Sequence, residues 1–104
     1  MIFIETSVFT QAVEVLLDDD AYALLQQHLT EFPEAGDLLK NTGGLRKIRW
    51  SSGGKGKRSG VRVIYYHLSS DFQIRMLLIY RKGIQDKLTP RQAALLRKIN
   101  EEWQ

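Results

Sequence analysis

The chain has no cysteine and only two prolines and two histidines. Its longest apolar runs fall far short of the roughly 20 residues that a bilayer span needs. The missing cysteines exclude disulfides, thiolate metal sites and cysteine nucleophiles. The start, MIFIET, carries no basic leader, long apolar stretch or small-residue cleavage site, so a cytoplasmic protein with no membrane partner is expected. Lys and Arg are absent from residues 1–37, which hold eight acids.

The basic residues are concentrated further along. Residues 38–70 hold eight Lys and Arg with no acid, and residues 71–104 hold seven basic and four acidic side chains. The net charge of +3 therefore understates a strong segregation along the chain, which is the electrostatic footprint of a nucleic-acid surface. A length of 104 residues with 43% apolar content fits a single domain over residues 1–104.

Met1 to Glu5 reads as a strand, and Thr6 or Ser7 can cap a helix in which Phe9, Val13 and Leu16 recur at helical spacing. Asp18, Asp19 and Asp20 suit the start of a second helix, with Tyr22, Leu25, Leu29 and Phe32 as its apolar stripe and Pro33 at its end. PEAGDLLKNTGG is a connector with room for a short turn of helix. LRKIRW, VRVIYYHL and FQIRMLLIYR read as three successive antiparallel strands. Thr89, Pro90 and Gln92 then form a strong helix start, with Leu95 or Leu96, Ile99 and Trp103 on the apolar face. This order predicts an α+β fold: an antiparallel sheet with two N-terminal helices and one C-terminal helix.

Strand periodicity puts Lys47 and Arg49 on the face opposite Ile48 and Trp50. If the strands are neighbours, Arg62, Arg81 and Lys82 converge with them. Such a group suits a phosphodiester, because arginine holds phosphate oxygens bidentately and cations stabilise the charge of phosphoryl transfer. Tyr65 and Tyr66 could stack on unpaired bases, and parity alone leaves open which of them accompanies Arg62. The segment GKGKRSG lacks the spacing of a phosphate-binding P-loop. With two histidines and acids mainly in the N-terminal helices, no metal is expected. RNA brings its own nucleophile, the 2′-hydroxyl. Metal-free cleavage then needs a base, an acid for the leaving 5′-oxygen, and cations around the phosphate. The same surface could also serve as a plain solvated face or a non-catalytic RNA-binding module.

The stretches TGGLRKIRW, GKGKRSGVRVIYY and LLIYRKGIQDKL, together with the element order, resemble the RelE/HigB superfamily of bacterial type II toxins, most closely its HigB-like branch. The resemblance covers nearly the whole chain. It implies the RelE-like fold and a ribosome-dependent mRNA endonuclease without metal or cofactor, acting on message in the decoding site. It further implies a cognate antitoxin as partner, with operator DNA bound only through the toxin–antitoxin complex. By motif position, the catalytic candidates are Lys47 and Arg49 for proton transfer or phosphate binding, Arg62 at the scissile phosphate, and Lys82 as general acid or charge stabiliser. Arg46, Lys55, Lys57, Arg58, Tyr65, Tyr66 and Arg81 are the expected RNA and ribosome contacts. Some members carry a tyrosine or histidine near the C-terminus where this chain has GIQDKL and Leu88, which leaves the general base open. ParE-like members of the superfamily poison DNA gyrase instead, and the cation cluster favours the nuclease over them.

Overall fold

The computed structural model describes residues 1–51, 60–83 and 87–103. Strand β1 (Ile2–Glu5) runs into helix α1 (Ser7–Leu16), and Thr6 caps that helix by accepting the Phe9 N–H. Helix α2 (Asp19–Glu31) starts at Asp18, whose carboxylate accepts the Ala21 N–H at 2.7 Å, with Asp19 and Asp20 in the first turn against the positive end of the helix dipole. Four further strands follow: β2 (Asp37–Leu38), β3 (Arg46–Trp50), β4 (Val61–Leu68) and β5 (Gln73–Arg81). Helix α3 (Pro90–Glu101) opens with Thr89 and Gln92 capping each other reciprocally, with proline at its first position, as the sequence predicts.

Among the described residues, five strands form one sheet in the order β1-β5-β4-β3-β2. The β2–β3, β3–β4 and β4–β5 pairs are antiparallel, whereas β1 pairs with β5 in parallel, so the sheet is mixed at one edge rather than antiparallel throughout. Alternation within a strand encodes its faces but not its neighbour. Here the chain leaves β1 through two helices and returns to the far side of the sheet. The connector contributes the short edge strand β2 instead of a turn of helix.

Both faces of the sheet are covered. On one side α1 and α2 place Phe9, Val13, Leu17, Leu25 and Leu29 against Ile48, Val63, Tyr65, Ile74 and Met76, all buried. On the other side α3 places Leu96 against Ile64, Leu77 and Leu45. The expected stripes hold at Leu25, Leu29 and Leu96 and differ at their ends. In α2, Phe32 caps the C-terminus and is 56% exposed, and in the first turn Ala21 is buried while Tyr22 is half-buried. In α3, Leu96 and Asn100 point inward, Leu95 is 57% exposed, and Trp103 lies just past the helix end.

Candidate nucleic-acid interface

The site follows from register. Across β3 and β4, Lys47 pairs with Ile64, Ile48 with Val63 and Arg49 with Arg62. Ile48 and Val63 face α2, so Lys47, Arg49, Arg62 and Ile64 emerge on the opposite face, beside α3. Arg49 is exposed and Lys47 and Arg62 are half-buried. Arg49 and Arg62 are directly opposite each other, an arrangement that costs stability unless an anion neutralises it. Among the described residues, neither guanidinium has a carboxylate in ion-pair range, the ion pair present being Arg97–Glu101 on α3. Asp37 is the cross-strand neighbour of Lys47, yet no ion pair joins them.

The other expected residues divide. Lys82 is exposed beyond β5, and its N–H donates to the Gly60 carbonyl at 3.0 Å, which brings it to the Arg62 end of β4. By alternation it falls on the side of Tyr80, the cross-strand partner of Arg62. Arg81 pairs with Val61 and so belongs by register to the opposite, α2-side face, apart from Lys47, Arg49 and Arg62. Arg46 is on that same face, and its guanidinium donates to the carbonyls of Glu34 and Gly36, so it fastens the connector. Lys55, Lys57 and Arg58 lie outside the described residues.

The two tyrosines separate sharply. Tyr65 is 0% exposed, accepts the Gly36 N–H at 2.9 Å and donates its own proton to the Pro33 carbonyl at 2.8 Å. Burial raises its pKa, which keeps the phenol protonated. It is a core residue that pins the connector and has no ring face to offer a base. Tyr66 shares the Arg62 face but lies four residues along β4, about 13 Å away at strand spacing. Its ring packs beside Gly44 and under the Arg75 guanidinium, 5.7 Å from the ring centre.

Arg75 is the residue that sequence reasoning missed. It donates to the carbonyl and side-chain oxygen of Asn100 at 3.1 and 3.0 Å and lies 5.1 Å from the centre of the Trp103 ring. A cation at the Asn100 carbonyl, in the last turn of α3, also meets the negative end of the helix dipole. The signal was hidden by a bulge at Leu77, where Ile64 pairs with Leu78 but Tyr65 pairs with Met76. The extra residue turns Arg75 toward α3, against simple alternation from Tyr80. Thr6 secures the bulge: its hydroxyl donates to the Leu77 carbonyl at 2.9 Å.

Among the described residues, no group of three His, Asp or Glu side chains could hold a metal ion, and no helix is long and apolar enough to cross a membrane.

No protein-family model matches the chain. Its fold matches that of Escherichia coli toxin RelE in the free state, in a form carrying two arginine-to-alanine changes. The TM-score is 0.58 at 16% identity, over 81% of this chain and 85% of that one. The intact E. coli RelBE toxin–antitoxin complex contains a second match, with TM-score 0.54 at 16% identity, over 75% of this chain and 92% of that chain. The architecture is therefore α+β with the RelE fold.

Proposed function

We propose that this protein is a toxin of a type II toxin–antitoxin pair that cleaves messenger RNA on the ribosome without a metal ion. The observation that carries this reading is the Arg49–Arg62 pair, which has no carboxylate in ion-pair range among the described residues, with Lys47 on the same face, on a sheet of RelE fold. Like charges opposed across a sheet are tolerable when a dianionic transition state is what they meet.

In this mechanism the 2′-oxygen of the message attacks the adjacent phosphorus. The P–O5′ bond breaks, leaving a 2′,3′-cyclic phosphate and a free 5′-hydroxyl. Arg62 holds the non-bridging oxygens as charge builds on them. Lys47 and Arg49 flank the attacking side, where one assists removal of the 2′ proton and the other binds phosphate. Lys82 serves the departing 5′-oxygen. Much of the rate enhancement comes from positioning and electrostatics. The partners are the ribosome with its bound message and a cognate antitoxin, by analogy with the E. coli RelE that is held in a toxin–antitoxin complex. Operator DNA is reached only through that complex.

The test is a purified translation system programmed with one defined message, run with and without ribosomes, comparing wild type with Arg62→Ala and mapping RNA ends by primer extension. Cuts that need ribosomes and fall by about 10²-fold or more in the variant are expected. Unbroken message with folded wild-type protein would reject the nuclease and leave a gyrase inhibitor or a non-cleaving RNA binder.

A further inference from the structure

A cleft of about 270 Å³ opens beside Lys47, between the loop that follows β2 and the chain entering α3. One wall is Leu39, Lys40 and Thr42, and the other is Lys87, Leu88 and Ala93. The volume lies just under the roughly 300–1,000 Å³ usual for whole small-molecule sites, so it suits a single nucleotide better than a cofactor. Three lysines and three aliphatic side chains in its lining match the two halves of a nucleotide, an anionic phosphate and a flat apolar base.

The wall is preformed. The Leu39 N–H donates to the Leu45 carbonyl at 2.9 Å and closes the loop. Asn41, Gly43 and Gly44 hold the positive φ angles that so tight a path requires. The Thr42 hydroxyl donates to the Leu39 carbonyl at 2.7 Å and accepts the Leu45 N–H at 3.2 Å. Arg97 on α3 reaches the Asn41 carbonyl at 3.3 Å and ties the two walls together. At the start of α3 the capping box already occupies the Gln92 N–H, so the anion ligands at the rim are the lysines.

We infer that this cleft holds the nucleotide adjacent to the scissile phosphate, with its base against Leu39, Leu88 and Ala93 and its phosphate between Lys40 and Lys87, next to Lys47 at the scissile position, and that it does so without reading base identity. The inference rests on the nuclease reading. Lys47 and Arg49 are two positions apart on β3, about 7 Å, which is close to one step of an extended nucleotide chain. Indifference to base identity follows from the interior: Leu39, Leu88 and Ala93 offer no side-chain donor or acceptor, and the Thr42 hydroxyl is engaged by its own loop. A site that recognises a base by hydrogen bonds would need such groups free.

The experiment uses the same translation system, with messages carrying each of the four bases, or no base, at either nucleotide flanking the cut. Lys40→Ala/Lys87→Ala alters exposed side chains. It should raise the toxin concentration for half-maximal cleavage roughly tenfold and leave the maximal rate within about twofold. An abasic flanking nucleotide should weaken the wild type at one of the two positions, while exchange among the four bases there changes little. Leu88→Asp should erase that abasic penalty. Wild-type concentration dependence in the double variant, an abasic penalty that persists in Leu88→Asp, or strong preference for one base at that position would each overturn the inference with the nuclease intact. If the wild type leaves every message whole, the nuclease reading fails first and this subsite with it.

Discussion

Tyr65→Phe separates fold from function at the residue where sequence and structure disagree most. The substitution keeps the buried ring and removes one oxygen, leaving the Gly36 N–H and the Pro33 carbonyl without their partner. A methyl group added at Gly36 would lie 2.9 Å from the Tyr65 ring, so the connector is packed tightly against the phenol. Each buried polar group left unpaired costs about 1–3 kcal/mol, and the pair together about 3 kcal/mol. For a domain of this size, that corresponds to a fall in Tm of roughly 15 °C. Thermal unfolding followed by circular dichroism reads the shift directly. Cleavage assayed well below the lowered Tm should stay within about threefold of wild type, while Arg62→Ala should show the reverse, near-native Tm with lost cleavage. A Tm within about 2 °C of wild type combined with loss of cleavage would refute the structural role and return Tyr65 to the RNA surface.

Three further outcomes are expected. Arg75→Ala removes two hydrogen bonds to Asn100 and the contacts with Tyr66 and Trp103, and should cost about 2–3 kcal/mol; hydrogen exchange should accelerate in α3 before β4 or β5, and uniform acceleration would contradict an anchor specific to the helix. Thr89→Ala deletes one half of the capping box and should destabilise by about 1 kcal/mol, measured by urea unfolding at unchanged m-value. Stability should fall at high pH. Burial raises the pKa of both Tyr22 and Tyr65 above 10.0, and for Tyr22 the Glu5 carboxylate that accepts its proton adds to the rise. A raised folded-state value means that the unfolded chain releases these protons first, so the stabilisation is complete below about pH 10 and is lost as pH climbs beyond it. Tyr22→Phe should flatten that alkaline decline, and an unchanged slope would exclude Tyr22 as a source.

The elements and the cation face were legible because each rests on local rules. Alternation in RKIRW separates Lys47 and Arg49 from Ile48, and the helix starts at Asp18 and Thr89 follow from capping chemistry. What was hidden depends on partners distant in sequence. Nothing in MIFIE states that β1 will lie parallel to β5. Arg46 and Tyr65 look like surface residues of a basic strand until the connector closes over them. There they hold Glu34, Gly36 and Pro33, residues with no sequence cue to that contact. Leu95 and Leu96 are equivalent in composition, and only docking on Ile64 and Leu77 selects Leu96 for the core. The cleft lysines Lys40 and Lys87 sit in connecting segments where isolated cations carry no pattern.

The extra residue at Leu77 has an effect on both ends of β5. Arg75 and Tyr80 are an odd number of positions apart, so in an unbroken strand they would look in opposite directions. The bulge lets one strand fasten the C-terminal helix with Arg75 while Tyr80 stands opposite Arg62 on that same side. Strand length thus acts as a parity switch: deleting a single residue there would make anchoring the helix and flanking the phosphate site mutually exclusive, although every side chain involved would still be present.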